Sequence, residues 1–225
     1  MTRIKHVAII MDGSGRWGLK HKKSRNFGHR AGLNTVGKIL KETIKNNIKF
    51  LTLFAFSTEN WRRPKTEIKF LFNLLEEFLI KKIDELKTKG IKFKVIGDKK
   101  KLSLKLKKIL LNSEKITENN KKLQINLALN YGSKNEIVNT VNFLKKKKIN
   151  LSEKNINKYL YTKNIPDPEM LIRTGDTKRL SNFMMWQLAY SEFYFEKKLW
   201  PDFTVKDYNR ILNNFKKIKR NFGNI

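Results

Sequence analysis

The chain has 225 residues, 40% of them apolar, with Leu, Ile and Phe spread along the whole length, which excludes intrinsic disorder and suffices for one large α/β domain with a substantial core. Fifty Lys and Arg against 20 Asp and Glu give a formal charge of +30, and the absence of Cys excludes disulfides and thiolate metal sites and suits a reducing cytosol. Behind the basic N-terminal flank, the apolar run from Val7 to Met11 is too short for a signal peptide or a membrane span.

In chain order, Val7 to Met11 reads as a buried strand that delivers Asp12 to a glycine loop, Gly13-Ser14-Gly15, followed by Arg16 and Trp17. An acid at the carboxyl end of a strand, ahead of glycines whose N–H groups can approach an anion, marks the ligand-binding edge of an open α/β sheet; an ordinary strand-to-helix turn with a capping Asp is the alternative. Arg25 to Arg30 leads into a helix, with Ala31, Val36, Ile39, Leu40 and Ile44 at helical spacing down to Asn46-Asn47. Phe50 to Phe56 is a second buried strand and ends on Ser57, Thr58, Glu59, Asn60, Trp61, Arg62 and Arg63, with Pro64 near the first turn of the next helix. That helix, Thr66 to Lys87, is apolar around well over half its circumference, so it is buried between layers, lines an apolar cavity or forms a subunit contact.

Ile91 to Ile96 is a third strand, Ser103 to Asn119 a helix, and Leu123 to Leu129 a fourth strand ending in Asn130-Tyr131-Gly132. Two helices, Lys134 to Lys147 and Ser152 to Tyr161, precede the breaker Pro166-Asp167-Pro168. A short fifth strand, Met170 to Arg173, ends on Thr174-Gly175-Asp176. Arg179 opens a predicted helix through Tyr190, with Ser181 or Asn182 as its cap; Glu192 to Phe195 is a sixth strand, Trp200-Pro201 a turn, and Val205 to Lys219 the last helix. The alternation predicts one domain, residues 1–225, built on a mainly parallel six-stranded sheet covered by helices on both faces.

Crossover connections then put the ends of the first, second, fifth and sixth strands on one edge, bringing together Asp12, Ser57 to Asn60, Arg173 with Arg179, and Glu192. Carboxylates suit a hard divalent cation, and guanidinium groups suit phosphate oxygens. The arginines support this, because seven of the ten fall in the windows 16–30, 62–63 and 173–179, whereas lysines populate polar helix faces throughout. The charge alone would invite a nucleic-acid partner, but the aromatics lie in strands and apolar helix faces rather than in basic stripes, so none is expected. No Walker A motif, no G-x-S-x-G and no zinc spacing among His6, His21 and His29 occurs.

These residues resemble the cis-prenyltransferases, and within them the bacterial undecaprenyl diphosphate synthases, over nearly the whole chain. The matching segments are His6 to Trp17, Arg25 with Gly28 to Gly32, Leu53 to Trp61 with Arg63-Pro64, Leu127 to Gly132, Leu171 to Thr174, Arg179 to Phe183, Trp186 to Glu192 and Leu199 to Phe203. The resemblance implies Mg²⁺-dependent condensation of an allylic diphosphate, such as farnesyl diphosphate, with successive isopentenyl diphosphates in cis. The expected product is an undecaprenyl-class diphosphate, precursor of a lipid carrier for cell-wall polysaccharide, made by a cytoplasmic homodimer whose site is finished by the neighbouring subunit.

By the same resemblance Asp12 binds Mg²⁺ and promotes departure of the allylic diphosphate, with Glu192 completing the metal environment. Gly13, Gly15, Arg16, Arg25 and His29 cradle that diphosphate. Asn60, with Ser57, assists proton removal; Trp61 and Arg63 position substrate; and Arg173, Arg179 and Ser181 hold the isopentenyl diphosphate. Ser14, Trp17, Thr58, Glu59 and Leu180 complete the expected substrate-binding set, and the apolar Thr66 to Lys87 helix becomes the wall of a tunnel for the growing chain. Two positions depart from the family pattern. Ser14 stands where Asn is usual, and Gly175 to Lys178 replaces a turn richer in Gly and Glu; Asp tolerates a left-handed backbone, so the turn is expected to persist. The high charge also suggests contact with an anionic membrane surface.

Overall fold

The computed structural model describes residues 4–220. Its six strands form one sheet in the order β3-β4-β2-β1-β5-β6, with every neighbouring pair parallel. The strands are β1 (His6–Ile10), β2 (Phe50–Ser57), β3 (Ile91–Ile96), β4 (Leu123–Tyr131), β5 (Met170–Arg173) and β6 (Glu192–Phe195). The helices are α1 (Ser14–Lys22), α2 (Arg25–Lys45), α3 (Lys65–Thr88), α4 (Leu104–Ile116), α5 (Ser133–Lys146), α6 (Glu153–Tyr159) and α7 (Val205–Lys216). Short 3₁₀ turns at Thr58–Arg62 and Trp200–Asp202 complete the chain.

The central strands are apolar on both faces because both faces are covered. Alternate residues of β1 point opposite ways: Val7 and Ile9 join the core formed with Ile39, Leu40, Leu79, Leu106, Ile211 and Phe215, from α2, α3, α4 and α7. Ala8 and Ile10 join a smaller core with Ile96, Ala128, Tyr131, Ile165, Leu171 and Phe183. β3 lies at the sheet edge, and its outward N–H groups are taken by side chains: Phe93 N donates to Thr117 Oγ1 and Val95 N to Glu114 Oε1. That capping blunts an edge which would otherwise template another strand.

Two elements differ from expectation. The stretch read as a glycine loop is helix α1 from Ser14 on, with Gly13 (φ 105°) as its left-handed cap residue. Three glycines in six residues, Gly13, Gly15 and Gly18, hid it, since glycine disfavours helix. Packing makes the helix: a Cβ at Gly28 of α2 would lie 1.8 Å from the Ser14 carbonyl oxygen, so the two helices touch backbone to backbone. The predicted helix from Arg179 to Tyr190 is a series of turns instead. Ser181, Asn182 and Met184 all have positive φ (51°, 60° and 44°), which no right-handed helix accommodates. The other helices fall within about one turn of the expected bounds. At the turn that follows β5, Gly175 (φ 90°) and Asp176 (φ 54°) both take left-handed conformations.

At the amino-terminal half of the sheet a polar ladder crosses three strands. His6 Nδ1 donates to the Pro166 carbonyl at 2.6 Å; the Thr52 hydroxyl donates to His6 Nε2 at 2.7 Å; Asn126 Nδ2 donates to Thr52 Oγ1 at 3.0 Å, and Gln124 Nε2 to Asn126 Oδ1 at 2.7 Å. Complete burial pushes His6 down to about 4 from its ordinary 6.5, against the pull of the Pro166 bond. The unfolded chain therefore protonates His6 before the native state does. Its contribution is complete above about pH 6.5 and is lost as pH falls towards 4, amounting to roughly 3 kcal/mol. Urea midpoints at pH 7.5 and 4.5 should converge for wild type and His6→Gln as pH falls; an unchanged difference contradicts this.

Candidate active site

The strand register brings the site together. Ile10 lies abreast of Phe54 on β2 and of Arg173 on β5, so Asp12, Ser57 and Arg173 share the carboxyl edge of the sheet. Asp12 is anchored through its backbone: its carbonyl accepts from Trp200 N at 2.9 Å and from Thr174 Oγ1 at 2.8 Å. Its carboxylate is then met by two guanidinium groups. Arg173 Nη2 donates to Oδ2 at 2.8 Å, and Arg16 Nη2 stands 3.6 Å from Oδ1 while donating to the Gly175 carbonyl at 2.5 Å. Arg173 is 4% exposed; its Nη1 donates to the Arg179 carbonyl and to Ser181 Oγ (2.8 Å), and its Nε is buried without a partner among the described residues. The Asp12 side chain keeps 30% exposure.

A second cationic group gathers around Glu67. Arg25 donates to it from Nε (3.0 Å) and Nη2 (3.2 Å), Arg63 Nη1 at 3.1 Å, and His29 Nε2 lies 3.3 Å from Oε1. Burial opposes ionisation of Glu67, but the bond and charge of Arg25, the charge of Arg63 and the His29 bond hold it below its ordinary value. For His29 burial dominates and lowers its value; Glu67 works the other way. Gly15 lets this group close on α1, because a Cβ there would lie 2.8 Å from the Arg25 guanidinium. No acid occupies the first turn of α1, so its positive end faces Arg25 and Asp12 free of a counter-charge from its own helix.

Both groups stand on one cavity of about 470 Å³. Its polar mouth comprises Asp12, Gly13, Ser14, Gly15, Arg16, Arg25, His29, Ser57, Asn60, Arg63, Arg173, Arg179 and Ser181. Its depth is apolar, walled by Val36 and Leu40 of α2, Leu53 and Phe56 of β2, Leu71, Leu75, Phe78, Leu79 and Leu86 of α3, and Phe93, Ile125 and Leu127 from the sheet. Helix α3 thus serves both core and cavity. Asn60 is oriented by Ser57 N, which donates to its Oδ1 at 3.1 Å and leaves its amide N–H₂ without a protein partner among the described residues.

Six residues expected at the site do not line this cavity. Trp17 stacks on His21 and Phe27 and donates to Asp202 Oδ1. Trp61 packs on Phe56 and Phe72 and donates to Asn130 Oδ1. Glu59 accepts from Asn182 Nδ2, Thr58 lies against Gly132, and Leu180 packs in the smaller core. Glu192 is the clearest departure: it begins β6 opposite Met170, which pairs with Val7, and so lies towards the other edge of the sheet from Asp12. A residue that starts a parallel strand cannot share an edge with residues that end its neighbours. Conversely, Glu67 is not among the residues expected at the site. Its signal was an acid four residues after Arg63 in the first turn of a helix.

The chain matches the Prenyltransf family, the undecaprenyl diphosphate synthase family, over residues 10–223. It is 42% identical to an isoprenyl transferase of Wolinella succinogenes, covering 100% of this chain and 99% of that one, and 41% identical to an isoprenyl transferase of Thermotoga maritima, covering 98% and 97%. Among solved structures, it is similar to lavandulyl diphosphate synthase from Lavandula x intermedia in complex with dimethylallyl diphosphate. The TM-score is 0.92 at 35% identity over 98% of each chain. It is also similar to a probable undecaprenyl diphosphate synthase from Campylobacter jejuni, with a TM-score of 0.85 at 34% identity over 99% of this chain and 100% of that one.

Replacing Glu67 by Gln leaves three basic groups with a neutral partner. The expected cost is roughly 1–3 kcal/mol in urea unfolding, with the His29 titration midpoint, followed by NMR, moving down. A rise in that midpoint contradicts the assigned contacts.

Proposed function

The chain belongs to the undecaprenyl diphosphate synthase family and is a prenyl transferase, and on that premise we propose that it condenses an allylic diphosphate, farnesyl diphosphate in the first instance, with successive isopentenyl diphosphates to a long cis-polyprenyl diphosphate of the undecaprenyl class. The observation that carries this reading is the juxtaposition of Asp12, Arg173 and the Glu67-held cations with a deep apolar cavity. A charged head and a long hydrocarbon tail need that combination. Lavandulyl diphosphate synthase, similar to this chain, was crystallised with an allylic diphosphate, which supports the choice of substrate class.

In this reading the isopentenyl double bond attacks the allylic carbon as its C–O bond breaks, the electron pair leaves with the diphosphate, and a proton is then lost from the isopentenyl unit. The first-turn N–H groups of α1, with Arg16, Arg25 and His29, hold the departing diphosphate where its charge grows. Arg173, Arg179 and Ser181 hold the isopentenyl diphosphate. Asn60, its orientation fixed by Ser57, faces the isopentenyl unit and positions the group that takes the proton. The apolar walls keep water from the cationic allyl fragment, and α3 gives the lengthening tail its path.

Asp12 fits Mg²⁺: it is a hard, partly exposed oxygen donor beside a phosphate site, and magnesium is commonly held by one or two carboxylates plus substrate phosphates. Among the described residues no cluster of three or more candidate ligands occurs, so phosphate oxygens would complete the shell. Bound there, Mg²⁺ would offset charge building on the departing diphosphate. Glu192 would reach such a site only from a second copy, which the proposed homodimer supplies. The proposed setting is cytoplasmic, with peripheral contact on an anionic membrane; no described helix is long and apolar enough to cross one.

Asp12→Ala should lower turnover of farnesyl and isopentenyl diphosphates by about 10²–10³-fold, and chelation of Mg²⁺ should abolish wild-type turnover. Wild-type rates in either case contradict the role given to this acid.

A further inference from the structure

On the outer face of α4 an apolar and a basic pattern coincide. Leu104, Lys108, Leu111 and Lys115 follow one another at turn spacing along a single stripe, and Leu104 is 83% and Leu111 56% exposed. Exposed Lys101 and Lys105 flank its start. The acid of α4 does not offset these charges, because Glu114 turns to β3, accepting from Val95 N and pairing with Lys99 at 2.7 Å. Lys105 ties the helix to α3 through Glu76 at 2.6 Å, and one turn beyond Glu76 stands Ile80, 61% exposed. The other side of α3 carries Leu75 and Phe78 into the apolar cavity. The stripe therefore lies one helix layer outside that cavity.

We infer that this face of α4 docks on an anionic lipid surface, its leucines at the acyl boundary and its lysines on headgroup phosphates. Three features select that partner. The stripe carries no acid, so its charge is complementary to an anionic sheet rather than to a mixed protein surface. Its cations are lysines, solvated point charges suited to diffuse attraction and not to fixed bidentate pairs. Its leucines recur along the helix and do not form a pocket, as in helices that lie in an interface. The inference rests on the proposed function for its purpose only: a long-tailed product leaving past α3 would meet a bilayer already held beside it.

The test needs no substrate. The chain has no Cys, so Leu111→Cys accepts a single environment-sensitive fluorophore. Its emission should shift to the blue with phosphatidylglycerol vesicles and stay unchanged with phosphatidylcholine. A label at Val138→Cys, exposed on α5 whose Glu136 meets the smaller core on the other side of the sheet, should stay unchanged with both. The charge reversal Lys108→Glu with Lys115→Glu should weaken co-sedimentation with phosphatidylglycerol vesicles about tenfold. The same reversal at Lys145 and Lys147, equal in net charge, should weaken it less than twofold. No shift at Leu111, or equal loss from both reversals, overturns the inference; the second result leaves diffuse charge as the whole attraction. A Leu111 shift that appears without vesicles and grows with protein concentration also overturns it, in favour of a second copy. Prenyl transfer in detergent should be unchanged by the Lys108 and Lys115 reversal. Failure of the wild type to transfer prenyl groups would strike the proposed function and leave the vesicle result standing.

Discussion

Arg173 sits almost wholly buried at the end of β5, and its Nη2 donates to Asp12 Oδ2 at 2.8 Å across the gap between β5 and β1. A guanidinium in that position is costly to bury alone, and losing the partner of such a pair is typically worth about 3–5 kcal/mol. Asp12 therefore holds Arg173 in place, and Arg173 engages one oxygen of Asp12 while the other lies 3.6 Å from Arg16 Nη2. The same guanidinium grips Ser181 and the Arg179 carbonyl, which fixes a segment whose left-handed residues keep it from becoming a helix. One ion pair thus couples the ends of two strands and shapes the turn beyond them.

Glu67 performs the matching task for the second cluster. Three basic groups within reach of a single phosphate-sized anion would repel one another, and a buried carboxylate below them makes their gathering tolerable. Under the proposed function, an arriving diphosphate would meet cations whose rotamers are already set, the preorganisation that electrostatic stabilisation requires. The apolar remainder of the cavity follows from α3, which has more hydrophobic surface than a core contact alone can use.

The parallel sheet, its order of elements and the shared edge were legible because strand ends are punctuated: Asp12, Ser57 and Arg173 each follow an apolar run. Glu192 was misplaced because it opens its strand, and a short strand flanked by polar residues looks alike from either end. Helix α1 was hidden in a glycine-rich stretch that helix propensity disfavours and that close packing on α2, at Gly28 among other positions, stabilises. The Arg179 to Tyr190 segment has helical spacing, yet Ser181, Asn182 and Met184 take left-handed conformations set by tertiary bonds, among them Asn182 to Glu59 and to Lys134 N. Glu67 needed three-dimensional neighbours, since two of its partners lie about forty residues away in sequence.

The proposed function requires a diphosphate-gripping edge that feeds a cavity for hydrocarbon. Mass analysis of the products formed by the wild-type chain from farnesyl and isopentenyl diphosphates with Mg²⁺ tests it most directly. The account predicts a ladder of polyprenyl diphosphates, each longer than the last by one isoprene unit. Consumption of neither substrate, or a product without added isoprene units, would contradict it.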